Sequence, residues 1–314
     1  MEKSIDIIAI GECLIELSAN AKMTEAGCFY KYYGGDVLAC AIAALRSGSK
    51  VGYITRVGDD CFKDYLLESW HQEGLDISQV KISEEPNGLY IIARPSVEEK
   101  EAVYYRKKFA PSKLSMDDIS KEYIENSKIL YASGITQSLS PSANEAVEYA
   151  FKTAKNSGVT TAYDTNFHSS MMTPDSAKEN FYRLAQYTDI LFMSTKNDAV
   201  NILEIETAEN IIKKLWDMGI QTVLLKSSEH KGYYTGYKGN ISFTEFYTDD
   251  YLDTTCSGDA FNGGYLHAIT HGFTHSEAVK FASVVAGLQA KGIGAIKSIP
   301  YKDEIYSIYR GNNG

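Results

Sequence analysis

Short β-rich runs alternate with helix-period segments along most of this chain, and that alternation narrows its fold more than any other feature. Residues 5–10 (IDIIAI) are apolar and strand-like, and 37–46 are rich in Ala and Leu with a helical period. Residues 51–57 read as a strand, and 61–73 as a helix ending at Gly74. The pattern repeats with a strand at 128–132 before a helix at 143–156, and a strand at 159–164 before a helix at 176–187. Further strands fall at 190–193 and 223–226, and the last two helices at about 258–270 and 276–289. Strand–helix–strand units close with right-handed crossovers, so the expected fold is α/β, a parallel sheet flanked by helices on both faces. With no internal repeat, linker or low-complexity tract, residues 1–314 read as a single domain.

Two stretches break the rhythm. Residues 13–33 alternate polar and apolar side chains without a helix signal, and 89–94 with 102–106 read as a hairpin around 95–100. Together they predict a small antiparallel β-sheet, formed by about 12–33 and 88–107. It would act as a lid over the switch-point crevice where open α/β sheets bind ligands. Two edge hairpins without a lid role are the plainer alternative.

Composition excludes several classes. With 41 acidic and 31 basic residues the net charge is −10, and no basic stretch is present, which argues against nucleic acid or an anionic membrane as partner. The five cysteines are odd in number and none has C-x-x-C spacing, as expected of reduced thiols in a cytoplasmic protein. The N-terminus runs straight into the first strand without a signal peptide, and no apolar run nears the roughly 18 residues of a membrane helix.

Residues 253–261 (DTTCSGDAF) carry the strongest chemical signal: small residues and a carboxylate where a loop turns into a helix. First-turn amides and the helix dipole attract phosphate, while Asp259 can take a proton from an acceptor hydroxyl. The pairing suggests phosphoryl transfer without a covalent intermediate. Cys256, just before that helix, stands where thiol pKa values fall, so a nucleophilic role is an alternative. Gly34-Gly35-Asp36 precedes the first long helix, as a ligand approach or as a turn with Asp36 as cap. Tyr104 and Arg106 share one side of a strand and suit a sugar acid, or a half-exposed strand face. His168, in Asp164-Thr165-Asn166-Phe167-His168 at a strand's carboxyl end, either binds substrate or caps a loop. His267, His271 and His275 are spaced by four but lack a metalloprotease glutamate and meet Gly272, so they read as a solvated helix end. Neither G-x-x-x-x-G-K-[ST] nor G-x-G-x-x-G occurs.

Over nearly its full length the chain resembles the ribokinase-like, or phosphofructokinase B, carbohydrate kinases. The resemblance rests on Gly11-Glu12, Gly34-Gly35-Asp36, Arg56-Val57-Gly58-Asp59-Asp60 with Gly74, residues 253–261 against the D-T-x-G-A-G-D signature, and the tail at 286–294. Within that family it looks most like 2-keto-3-deoxygluconate kinases, through Gly88-Leu89-Tyr90, Tyr104-Tyr105-Arg106 with Ala110, Ser112 and Leu114, Ser133-Gly134-Ile135, and Leu139-Ser140-Pro141-Ser142.

The resemblance implies an ATP-dependent kinase of a sugar or sugar acid, often dimeric through the lid. It implies Asp259 as base and an anion hole from the amides of Cys256, Ser257, Gly258 and Asp259. Gly34, Gly35, Asp36, Tyr90, Tyr104, Arg106 and His168 would hold the acceptor, and Ser194, Lys226, Ser228 and Gly258 the nucleotide. Mg²⁺ would accompany ATP, with Asn197 reaching it through water, and K⁺ would sit near Asp253. The chain departs from the family pattern at five places. Ala39 replaces an asparagine, His168 an arginine, Cys256 and Ser228 glycines, and Ser194 with Asn197 stand for an N-x-x-E pair. A fructokinase or other neutral-sugar kinase, or a catalytically weak sugar- or nucleotide-binding homologue, is the competing reading.

Overall fold

The computed structural model describes residues 3–96, 99–106, 108–248 and 250–311. Its strands are β1 (Ile5–Ile10), β2 (Leu14–Ala19), β3 (Tyr30–Gly34), β4 (Val51–Gly58), β5 (Val80–Ser83), β6 (Gly88–Ala93) and β7 (Glu101–Tyr105), then β8 (Ser127–Ser133), β9 (Thr160–Asp164), β10 (Ile190–Ser194), β11 (Thr222–Ser227), β12 (Gly232–Tyr237) and β13 (Asn240–Glu245). Nine of them form one sheet in the order β13-β12-β11-β10-β9-β8-β1-β4-β5. Pairing is parallel from β11 to β5, and antiparallel from β11 through β12 to β13.

Alternate side chains on each strand feed two cores. Ile7, Ala9, Tyr131 and Phe192 pack under the helices Asp36–Ser47, Ser257–Thr270 and His275–Ala290. Ile8, Ile10, Leu130 and Met193 pack under Pro141–Asn156, Pro174–Ala185 and Ala208–Asp217. The helix expected from residue 143 starts at Pro141, because Ser140 caps it by accepting from the Ala143 amide at 3.1 Å. Two helices of the first layer touch closely at Gly263, where an added Cβ would lie 2.2 Å from the Cys40 carbonyl oxygen.

The β12–β13 hairpin was not anticipated from sequence. Its two-residue turn, Lys238-Gly239, has φ of 48° and 79°, the positive pair that a tight hairpin requires. The lid forms a second sheet in the order β3-β2-β6-β7. Its two antiparallel pairs, β2 with β3 and β6 with β7, are joined through a parallel pairing of β2 with β6. Part of the loop at 95–100 lies outside the described residues. No helix among the described residues is long and apolar enough to cross a membrane.

Candidate active site

β1 neighbours β4 on one side and β8 on the other, so the order of connection reverses between β1 and β8. Ligands of open α/β sheets bind at such a point, beyond the carboxyl ends of the strands. Glu12, Ser133, Asp164, Ser194 and Lys226 all stand at or just past those ends. Above them the helix Ser257–Thr270 begins, and the second sheet lies to the side, tied in through Arg94 to Asp253 and Arg106 to Glu12.

Asp259 lies in the first turn of this helix. Burial, aided by the neighbouring charges of Asp36 and Asp164, holds its carboxyl well above the ordinary range, while Lys226 pulls it down. A carboxylate so placed is a stronger proton acceptor than an exposed aspartate. The amides of Gly258 and Asp259 have no carbonyl four residues back within the helix. The Ser257 amide, expected in the anion hole, is already engaged with the Thr254 carbonyl at 3.1 Å. The side chain of Lys226 runs beside the loop, such that a Cβ on Gly258 would lie 3.6 Å from its Nζ.

Cys256 departs from expectation. Desolvation, with Asp259 and Glu16 close by, pushes its thiol well above the usual value. The helix dipole is outweighed, and the nucleophile reading loses its activated thiolate. Its φ is 63°, a conformation that glycine adopts without strain. Cys256→Gly should therefore keep or raise turnover and stabilise the fold by about 1 kcal/mol. Loss of phosphotransfer with fold and nucleotide binding intact, measured by kinetics, melting and calorimetry, would overturn the anion-hole role of this loop.

On the acceptor side, Gly35 is the N-cap of the Asp36–Ser47 helix at φ 135°, and a Cβ there would meet the Glu12 carbonyl oxygen at 2.4 Å. Asp36 is thus the first helical residue rather than the cap. It is buried, accepts from Asn166 Nδ2 at 3.1 Å, and leaves Oδ1 without a partner. Gly34 faces Tyr90, whose hydroxyl donates to the buried Glu16 carboxylate. Tyr90 stacks on Tyr104 at 5.5 Å, and the Arg106 guanidinium lies 4.6 Å from the Tyr104 ring. Arg106 Nη1 donates to Glu12 Oε1 at 2.6 Å. Glu12 is buried with Oε2 unpartnered, and burial raises its pKa to about 7 despite Arg106. His168 stands edge-on to Tyr104 at 6.2 Å, with Nδ1 bonded to Ser170 Oγ at 2.8 Å. Burial and the charges of Arg106 and Lys100 push its pKa down, which favours the neutral ring. Ala39, the first departure, is fully buried in the helix core.

Beneath the loop that leads into the Ser257–Thr270 helix, Lys226 Nζ and Asn262 Nδ2 both donate to Asp164 Oδ2 at 2.6 Å. Asn262 was missed in the sequence, although it lies one helical turn after Asp259. The residues expected on the metal side are engaged by protein partners. Asn197 Nδ2 donates to the Phe167 carbonyl at 2.7 Å and braces a loop. The buried carboxylate is Asp198, which accepts from the Ser194 amide at 2.6 Å and the Phe167 amide at 2.8 Å. Ser194 Oγ in turn accepts from the Asp198 amide at 2.9 Å. Asp253, expected beside a monovalent cation, instead accepts from Arg94 of the lid at 2.8 Å.

Ser228 lines a cavity of about 480 Å³ next to the anion loop, with Tyr233, Phe246, Tyr247, Thr254, Ser257, Ala286 and Gly287. The trio of histidines divides. His267 is buried between Ser49 at 2.9 Å and Tyr306 at 3.0 Å, and burial pushes its pKa down to about 3, so it is not a solvated helix end. The described residues form no group of three His, Cys, Asp or Glu fit to hold a metal.

A profile of the pfkB family carbohydrate kinases matches residues 4–302. The chain is similar to a 2-dehydro-3-deoxygluconokinase of Thermoproteus tenax, 29% identical over 306 residues and covering 95% of this chain and 92% of the relative. It is also similar to a 5-dehydro-2-deoxygluconokinase of Bacillus subtilis (strain 168), 26% identical over 312 residues, covering 97% and 95%. In fold it matches a 2-dehydro-3-deoxygluconokinase structure from Thermotoga maritima with a TM-score of 0.89, 20% identity and 99% of each chain covered. A putative ribokinase II from E. coli, in complex with ATP and Mg²⁺, gives the same TM-score at 20% identity, covering 98% and 99%. The chain belongs to the pfkB family of carbohydrate kinases, phosphotransferases with an alcohol group as acceptor.

Proposed function

We propose that this kinase transfers the terminal phosphoryl group of ATP to a primary hydroxyl of a small sugar acid, best matched by 2-keto-3-deoxygluconate. Asp259 removes the hydroxyl proton as the acceptor oxygen attacks phosphorus. The bond to the bridging oxygen breaks and ADP leaves. The amides of Gly258 and Asp259 meet the charge on the transferred group. The aromatic-walled cavity beside Ser257 takes the nucleoside. Mg²⁺ would be held chiefly by the nucleotide's own phosphates. Asp164 and Asp198 already accept protein donors and do not form a resident metal cage. The lid excludes water, a competing acceptor. We also place a second copy of the chain on the lid, where Tyr30, Val103 and Tyr105 are exposed; sedimentation would test this.

The observation that carries the acid reading is Arg106, stacked on Tyr104 and bonded to Glu12 through Nη1, which leaves Nη2 to a substrate carboxylate. One observation favours a neutral sugar instead: Glu12 partly neutralises that guanidinium. The unpartnered Glu12 Oε2 and Asp36 Oδ1 suit hydroxyl donors of either acceptor. A catalytically weak homologue is disfavoured by Asp259, Gly258 and Lys226 standing together. A turnover screen of sugars and aldonic acids decides among the three.

Arg106→Ala should raise KM for a sugar acid roughly ten- to hundredfold, the worth of a charge-assisted pair of about 1.5–3 kcal/mol, and far less for a neutral sugar. Equal losses would remove the carboxylate role. Acid binding should also weaken with rising pH. Glu12 is protonated below its value of about 7 and leaves Arg106 free; above it, the Glu12 carboxylate competes for the guanidinium. KM for the acid should climb roughly three- to tenfold between about pH 6 and pH 8, with little change for a neutral sugar. Burial and the nearby cations favour the neutral ring of His168, so His168→Asn should leave this dependence largely in place.

A further inference from the structure

Gln289 sits in the last turn of the helix His275–Ala290, and its side chain is fully buried. Its Nε2 meets three oxygens: the Thr255 carbonyl at 2.8 Å, Ser298 Oγ at 3.1 Å and the Ala295 carbonyl at 3.3 Å. Ser298 Oγ gives its own hydrogen to the Gly294 carbonyl at 2.5 Å, so toward Gln289 it is an acceptor. Three acceptors fix the orientation of the amide, and Gln289 Oε1 is left buried without a partner. Converging carbonyl and hydroxyl oxygens beside a carboxylate are the kind of cradle that strips water from a monovalent cation.

The carboxylate is Asp253, whose oxygens are taken. Oδ1 accepts from the Thr255 amide at 3.0 Å and Thr255 Oγ1 at 2.6 Å. Oδ2 accepts from Arg94 Nη2 at 2.8 Å and the Gly294 amide at 3.4 Å. Arg94, just past β6, is almost fully buried, and its Nη1 donates to Ser18 Oγ at 3.1 Å. The K⁺ implied by the family resemblance therefore does not fit: an N–H already points at each of these oxygens, and a guanidinium charge stands alongside.

We infer that Gln289 and Arg94 do internally what a monovalent cation would do, the amide gathering the oxygens behind the anion loop and the guanidinium neutralising Asp253, so that phosphotransfer is independent of K⁺. The inference rests on the kinase reading above. Dialysed protein, assayed in KCl and in tetramethylammonium chloride at equal ionic strength, should turn over at rates within about twofold of each other and melt at the same temperature. Activation by K⁺ of about fivefold or more would overturn it. Gln289→Ala empties the cradle, and its turnover and melting temperature should then rise with KCl. A folded, active variant indifferent to K⁺ would show that the oxygens are no cation cradle. If the variant does not fold, wild-type crystals soaked in Tl⁺ decide. An anomalous peak beside the Thr255 carbonyl overturns the inference, and its absence supports it. If no sugar is phosphorylated in either salt, the substrate reading fails, while melting and Tl⁺ still decide the cradle.

Discussion

Asp259→Asn should lower turnover by at least about 10²- to 10⁴-fold, the usual worth of a positioned general base. The same change should leave the fold at least as stable. Asp259 shares its crevice with Asp36 and Asp164, and their charges help hold its carboxyl well above the normal range. An uncharged amide of the same shape removes that repulsion, so the melting temperature should hold or rise by a few degrees. Lost catalysis with retained or increased stability is the mark of a group kept for chemistry. Near-normal turnover in this variant would mean that another group takes the proton. A large fall in melting temperature would mean that Asp259 is structural.

Lys226→Met should weaken both fold and catalysis. Lys226 donates to Asp164 at 2.6 Å and is the cation facing Asp164, Asp198 and Asp259 together. Asp164 is fully buried, and removing one partner of a buried pair costs about 3–5 kcal/mol because a charge is left uncompensated. For a chain of this size that lowers the melting temperature on the order of 10 °C. Turnover should fall as well, since the lysine flanks Gly258 at the anion loop. Thermal unfolding and steady-state kinetics check both arms. A variant that melts and turns over like the wild type would mean that Lys226 neither compensates the buried carboxylates nor serves the anion loop.

Much of this molecule was legible in its residues. The alternation of apolar runs forces a parallel sheet with two covered faces, because β-rich segments separated by helices must cross over one face or the other. The composition of residues 253–261 marks a helix start with a carboxylate in its first turn, and local rules suffice for that. Strand period anticipates Tyr104 and Arg106 on one side, and the guanidinium does lie over the Tyr104 ring, although β7 ends at Tyr105 and Arg106 stands just past it. The β12–β13 hairpin left a weaker local mark, since Lys-Gly is not among the strong hairpin pairs and its positive φ shows only in the structure.

Contact over long sequence distances decided the rest. The buried carboxylate is Asp198, beside the expected Asn197, because the Ser194 and Phe167 amides draw in that side chain, and Phe167 lies 31 residues away. The Cys256 thiol is held up rather than down because desolvation and nearby carboxylates oppose the helix dipole, and both arise only in the packed state. Arg94 reaches Asp253 and Gln289 reaches Thr255 only when the lid and the tail meet at the anion loop. A lone arginine or glutamine in a sequence names no partner, so local patterns set the elements and the helix start, and packing set the charge and the occupancy of every polar group around it.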